Sequence, residues 1–363
     1  MLGIKILKSV PRHPRFLLVS LLLCLATGFF LLQACSPSYV VHLALGQLRS
    51  MGRSIPADEA LRGPLLTMEE KDALRLVARV KLFGEDALGL TRTGSYQSVD
   101  AEVARAPIYT ISAASKTKLE LVTWWFPVVG RMPYLGFFDM QRALARKQEL
   151  EREGLDVMIW AAGAYSTLGW FKDPVPRSLL KREDLQLVDT ILHEMTHATI
   201  WIKGRPAFNE TLANLVGRHG AVAFMEAASG RDSPEARAAR AALRDQRRFS
   251  DFIGRLAARL EELYQSPITR EEKLIRREVV FSEAAAAFSS IEPSMETDRY
   301  LGFGARGLNN ALILGLAVYH RHFNLLDSVV ESCSGDLRQA LSVFRYLSLT
   351  EGDPIRKMEA WFS

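Results

Sequence analysis

Cysteine is scarce in this 363-residue chain, which contains only Cys24, Cys35 and Cys333. Two of them lie within or at the end of an N-terminal apolar run, so no internal disulfide can staple the rest of the chain. Cys333 sits in a turn-like link, Glu331-Ser332-Cys333-Ser334-Gly335, where a structural role outweighs that of a thiol nucleophile. An excess of one charge is also missing once the N-terminus is set aside. The formal charge is +5, but residues 1–34 hold Lys5, Lys8, Arg12 and Arg15 and no acid, leaving 42 basic against 41 acidic residues. That balance excludes the electrostatic footprint of a nucleic-acid binder. There is no low-complexity tract and no repeat at solenoid spacing, which excludes bulk disorder and a repeat array. At 48% hydrophobic residues the chain is long enough for a well-buried core.

What is present begins with a three-part N-terminus. The four basic residues precede an uncharged run over 16–34 that ends in Leu32-Gln33-Ala34-Cys35. A basic start, an apolar stretch and a small residue before a cut site describe a secretion signal. A cysteine directly after the small residue gives it the look of a bacterial lipoprotein signal. Residues 1–34 are then removed, Cys35 carries the lipid, and 35–363 form one domain held in the cell envelope facing the periplasm. Ser36 is compatible with sorting to the outer membrane. An uncleaved membrane anchor is the competing reading, because the apolar run is almost long enough to span.

Periodicity divides the remainder into helices and a small sheet. A helix is expected over 40–51, and Thr67-Met68-Glu69-Glu70 forms a capping box for another that runs to about 83 and closes at Gly84. Segments 107–111, 119–126, 134–138 and 157–160 are rich in β-branched and aromatic residues and read as strands. Asp139 caps a helix that Gly154 closes. From Asp184 onward nearly everything is helical, with breaks at Gly204-Arg205-Pro206, 230–234, Ser266-Pro267 and Glu292-Pro293. The expected class is therefore α+β, mainly α, with a small sheet between helices and a helical C-terminal half. The Arg-rich stretch over 237–259 is amphipathic, with Phe249, Phe252, Leu256, Leu260 and Leu263 in line. It reads as a solvated helix, with a lid over a cleft or contact with anionic lipid as the secondary readings.

The chemistry concentrates in His193-Glu194-Met195-Thr196-His197. On a helix, positions i and i+4 lie one turn apart on one face, so both imidazoles can grip one metal ion. Glu194 is rotated by about 100° from the first ligand, which places its carboxylate on a metal-bound water instead of the metal. The window 189–202 carries no charge after Asp189 except Glu194, so this helix must be buried. Zinc hydrolysis needs a third protein ligand and an open fourth position. The break at Gly204-Arg205-Pro206 starts a second helix that can return over the first and present Glu210. His219, roughly 13 Å further up that helix, is the rival third ligand. Asn214, one turn beyond Glu210, can bond the outer nitrogen of His193. Zn²⁺ held by two imidazoles and a carboxylate suits amide hydrolysis of a peptide substrate, with Glu194 moving the proton.

With these residues in place, the chain resembles a family of bacterial lipoproteins described as putative zinc aminopeptidases, similar to the glutamate-type zincins. The likeness extends over almost all of the mature chain. It includes Gly46-Gln47-Leu48, Phe126-Pro127-Val128-Val129-Gly130, Tyr134-Leu135-Gly136-Phe137-Phe138-Asp139, the stretch from Ala164 to Phe171, Asp173-Pro174, Phe208-Asn209-Glu210 and Leu308-Asn309-Asn310-Ala311. The resemblance implies a zincin-like fold with the sheet beside the metal-binding helix, His193, His197 and Glu210 as ligands, and Glu194 as the catalytic acid–base. The Gly-x-Met-Glu-Asn strand of better-known zincin aminopeptidases is absent, so "aminopeptidase" comes from the family name. An edge strand at 134–138 or 162–167 is expected to pair with the substrate backbone. Tyr165, Tyr319 and His320 are candidates to stabilise an oxyanion, and Asn309 and Asn310 are candidate pocket liners or hydrogen-bonded core polarity. A catalytically silent envelope lipoprotein using the same scaffold for docking is the second reading.

Overall fold

The computed structural model describes residues 54–100, 108–126, 130–137, 139–162 and 172–362. Cys35, the helix expected over 40–51 and Tyr165 lie outside them. In chain order the strands are β1 (Ser54–Pro56), β2 (Ser98–Asp100), β3 (Ile108–Ala114), β4 (Trp124–Phe126), β5 (Gly130–Met132), β6 (Leu135–Phe137) and β7 (Asp156–Ala162). The helices are α1 (Ala57–Arg62), α2 (Met68–Asp86), α3 (Met140–Arg152), α4 (Asp184–His197), α5 (Pro206–Ser229), α6 (Pro234–Gln265) and α7 (Arg270–Ile291). They continue with α8 (Asn310–His320), α9 (Phe323–Ser332), α10 (Leu337–Leu349) and α11 (Pro354–Phe362). The described chain is mainly helical with small antiparallel sheets, as its periodicity implies.

The largest sheet has the order β6-β3-β7, all antiparallel, with Ile111 opposite both Leu135 and Ile159. Side chains alternate along a strand, so Ile111, Ala113, Leu135, Phe137 and Val157 share one core with Ala143 and Leu150 of α3. Asp139 caps α3 by accepting from the Arg142 amide at 2.8 Å. The long strand expected over 119–126 is shorter. Leu121 makes a lone bridge to Ala114, and only Trp124–Phe126 pairs, in a hairpin with β5. Leu119 packs instead against the helical half, which pulls this segment out of the sheet.

The capping box of α2 forms in full, with Glu70 N–H to Thr67 Oγ1 at 3.2 Å and Thr67 N–H to Glu70 Oε2 at 3.0 Å. Gly84 does not end this helix. It lies inside α2, where a Cβ would sit 2.9 Å from Met195 Cε and 3.1 Å from Leu192 Cδ2. Its function is close approach to α4, not termination. Two glycines of α5 act similarly: a Cβ at Gly220 would lie 2.6 Å from Leu192 Cδ1, and one at Gly217 would lie 2.6 Å from Asp189 Oδ1. Thus α4 is clasped between α2 and α5, with Leu187, Val188, Ile191 and Leu192 fully buried.

A second core fills the C-terminal half. Phe249, Phe252, Leu256 and Leu260 of α6 pack with Phe281 and Phe288 of α7, Phe303 and Ile313. Phe249 stacks on Tyr300 with ring centroids 4.0 Å apart. The apolar line of the Arg-rich helix is thereby consumed in packing, which leaves no apolar face there for a lid or a lipid surface. Among the described residues, no helix is long and apolar enough to cross a membrane.

Candidate metal centre

The last turn of α4 and the first turn of α5 converge on one point. His193 Nε2 and His197 Nε2 are 3.2 Å apart, and Glu210 Oε2 lies 3.5 Å from each. A tetrahedral ion with ligands at 2.0–2.1 Å requires ligand atoms roughly 3.3–3.4 Å apart, so the three donors already match the edges of such a polyhedron. Among the described residues, His193, His197 and Glu210 are the group of His, Cys, Asp or Glu side chains that can hold a metal ion. The donor set, two imidazoles and one carboxylate, fits a zinc-like cation. Burial alone would push the Glu210 carboxyl up, but the neighbouring imidazole charges and hydrogen bonds hold it far below the usual carboxylate range. The anionic form, which a metal ligand needs, is thereby favoured. His197 also packs edge-on against Trp201, at 5.5 Å between centroids, and its Nδ1 is buried without a hydrogen-bond partner among the described residues.

Glu194 is 9% exposed. Desolvation raises its carboxyl, opposed by the charges of His193 and His197 and reinforced by those of Glu210 and Asp173. A raised carboxyl is a stronger base, as a group that accepts a proton from water needs. Tyr96, which periodicity did not single out, faces this carboxylate closely enough that burial and the charges of Glu194 and Asp173 drive its phenol well above its usual value. Its φ of 66° places a bulky residue in the left-handed region, a local cost that tertiary contacts must sustain. A positive φ at a non-glycine leaves no signature in a single sequence.

α4 ends at His197 and does not run on to 202, because the next segment is captured by α5. The Asn209 side chain accepts from the Ile202 amide and donates to the Ile202 carbonyl, both at 2.9 Å. One buried amide thus mimics a strand partner and fixes the return that delivers Glu210. Replacing Asn209 by Ala is expected to weaken metal affinity by about tenfold or more, the usual cost of losing support behind a ligand. Chelator competition on the loaded protein would measure this; unchanged affinity would show that the return is held without Asn209.

Asn214 was expected behind His193, but its Nδ2 donates to the Tyr319 carbonyl at 3.1 Å. It therefore positions Tyr319, whose ring stacks over His193 at 6.3 Å and 29°. The Tyr319 phenol lies within electrostatic reach of the Glu210 carboxylate. That carboxylate's charge, and then burial, hold the phenol well above its usual value, so it stays protonated. The residue as a whole remains 37% exposed. Tyr134, which leads into edge strand β6, lies within electrostatic reach of the same phenol.

The other candidates sit elsewhere. His320 is turned into the second core, where its Nδ1 meets Gln246 Nε2 at 2.7 Å and Ser250 Oγ at 3.1 Å. Burial pushes its pKa down to about 3. It follows Tyr319 in sequence, but adjacent helix positions face about 100° apart. Asn309 caps α8 by accepting from the Leu312 amide, and it donates to the Val157 carbonyl. Asn310 is fully buried, accepts from the Tyr264 hydroxyl at 2.9 Å and donates to the Ser115 carbonyl at 2.8 Å. The two asparagines tie the helical half to the sheet. His219, the rival ligand, is paired with Asp327 at 2.6 Å.

A family model described as putative aminopeptidase matches residues 38–354. The chain belongs to this putative aminopeptidase family. No curated protein and no solved structure matches it. The family's description suggests a peptidase, in keeping with a His-His-Glu cluster able to hold a metal.

Proposed function

We propose that this protein is a zinc-dependent peptidase of zincin-like architecture, an aminopeptidase, that hydrolyses peptide amide bonds at the His193–His197–Glu210 cluster. The observation that carries this reading is the near-equal 3.2–3.5 Å spacing of three ligand atoms, with the buried Glu194 in the same helical turn. A zinc ion bound there supplies Lewis acidity and lowers the pKa of a water molecule toward ~7. Glu194 accepts the proton of the attacking water and returns it to the leaving amine, which its raised affinity for protons suits. Tyr319, held protonated by Glu210, donates to the oxygen on which negative charge develops. The Asn214 amide keeps that phenol's backbone in place, and Trp201 limits the swing of His197. The amide-bonded return at Asn209 makes the ligand set pre-organised, which favours tight metal binding.

The same proposal tethers the chain by a lipid on Cys35, on the periplasmic side of the cell envelope and at the outer membrane, after removal of residues 1–34. The run from the basic start to Leu32-Gln33-Ala34-Cys35 supports it.

Two measurements test the enzymatic reading. A chelator should abolish cleavage of a short peptide, and one equivalent of zinc per chain should restore it. Comparing one peptide with free and acetylated N-termini decides the exo mode: the free peptide should be cleaved and the acetylated one left intact. Equal cleavage of both would remove the aminopeptidase assignment.

A further inference from the structure

Asp189 lies one turn before His193 on α4, so the face that presents the metal cluster also presents this carboxylate. At the close crossing opened by Gly217, α5 brings Arg218 against it, with Nη1 3.3 Å from Asp189 Oδ2. Arg218 is 3% exposed, and its Nε and Nη2 are buried without a hydrogen-bond partner among the described residues. Arg299 approaches the same carboxylate oxygen at 3.9 Å, and its side chain is 41% exposed, so the group opens to solvent there. Arg182 donates to Thr190 Oγ1 at 3.2 Å and feels the charges of both Arg299 and Asp189.

Two guanidinium groups on one carboxylate, with Arg182 near enough to feel both charges, leave surplus positive charge in a poorly solvated place, which is costly without a further anion. Burial, and repulsion from Arg299, lower the proton affinity of both Arg182 and Arg218. Among the described residues, Asp189 is the carboxylate paired with Arg218 and Arg299. His320 is neutral, and the Tyr300 hydroxyl is committed to Gln246 Oε1 at 2.8 Å. The free edge of Arg218 is also the one that grips carboxylates elsewhere in this molecule. Arg177 holds Glu70 through Nε and Nη2 at 2.8 and 2.7 Å, and Arg244 holds Glu296 through the same two atoms at 2.9 and 2.6 Å. A planar fork of this kind matches both oxygens of a carboxylate.

We propose that Arg218, Arg299 and Arg182 form a subsite for the C-terminal carboxylate of a short peptide lying along α4. This deepens the peptidase reading and rests on it. The subsite is about 6 Å from the ligand cluster measured along α4 and about 12 Å measured along α5. An extended peptide advances roughly 3.3 Å per residue, so the carboxylate lies two or three residues beyond the scissile bond. With one residue on the amino side, the substrate is a tripeptide or a tetrapeptide. Arg299 meets the incoming carboxylate at the mouth, and the fork of Arg218 receives it.

The test is calorimetric titration of the zinc-loaded full chain carrying Glu194→Gln, which binds without turnover. The ligands are trialanine as the free acid, trialanine as the C-terminal amide, and an amidated tripeptide with glutamate at its last position. The free acid should bind about tenfold or more tightly than the amide, the worth of a charge-assisted hydrogen bond. Arg299→Gln and Arg218→Met should each bring the acid down to the affinity of the amide. Arg299 is exposed, so that variant keeps the test decisive where Arg218→Met fails to fold. Equal binding of acid and amide, binding of neither, or a preference that persists in a folded Arg299→Gln protein overturns the subsite. Tight binding of the glutamyl amide assigns it to a side-chain carboxylate and overturns the C-terminal assignment. The two readings fail separately. An arginine-dependent preference for the acid, with no cleavage by the unsubstituted chain, sinks the peptidase but keeps the subsite. Cleavage of acid and amide alike, with equal affinities, does the reverse.

Discussion

Glu194→Gln is expected to lower kcat for a short peptide by about 10²- to 10⁴-fold, the range a positioned general base contributes, while the protein still binds one zinc ion. The amide keeps the size and shape of the carboxylate, so the packing around it survives and only proton acceptance is lost. Glu194 is not one of the three side chains whose ligand atoms cluster, and its removal leaves His193, His197 and Glu210 where they are. Burial raises its carboxyl, and a neutral amide there also avoids the cost of an uncompensated charge. The check pairs steady-state kinetics with metal analysis on the same preparation. Glu210→Ala should behave differently, losing the metal as well as the activity. Full activity in the metal-loaded Glu194→Gln protein would overturn the proposed proton path.

The parts of this molecule that could be read without coordinates are those governed by local spacing. The i, i+4 histidines, the capping box at Thr67 and Glu70, the Asp139 cap and the strand periodicity of 157–160 each depend on a few neighbouring residues. Glu210 was within reach because a short break between helices constrains how far the second can stray. The supporting residues were not, because their roles depend on which helices cross. Gly84 looks like a terminator until Leu192 and Met195 are seen against it. Asn214 projects from the same side of its helix as Glu210, as its spacing requires, yet its amide reaches Tyr319 because α8 packs over α5 at that level. His320 and Asn310 are polar residues in an apolar helix, a pattern that fits a pocket and a core network equally well. The partners Gln246 and Tyr264, both distant in sequence, decide for the network. Asn209 is legible only as part of the family-like stretch Phe208-Asn209-Glu210, and Arg218 carries no local signal. One clamps a chain reversal, and the other is meaningful only beside Asp189 and Arg299.

Stability should depend most visibly on a pair remote from the chemistry. Arg177 donates from Nε and Nη2 to the two oxygens of Glu70, with side chains 9% and 5% exposed. Glu70 also completes the α2 capping box, so one carboxylate secures the start of that helix and fastens it to the segment leading into α4. Glu70→Ala removes a cap bond and strands a buried guanidinium, and is expected to cost about 3–5 kcal/mol. Chemical denaturation should show the midpoint falling with little change in slope. The double substitution Glu70→Leu with Arg177→Met should recover most of the loss, because it leaves no uncompensated charge. If the double variant proves no more stable than Glu70→Ala, the buried charge is not the source of the cost. Acid titration gives an independent sign. The hydrogen bond from Arg177 holds the Glu70 carboxyl below its usual value, so its contribution is complete above the unfolded value of roughly 4.3. That contribution then declines as the pH falls through the lower folded value. The chain with Glu70 intact should therefore lose stability more steeply across that acid window than Glu70→Ala, and the two curves should converge at its acid end.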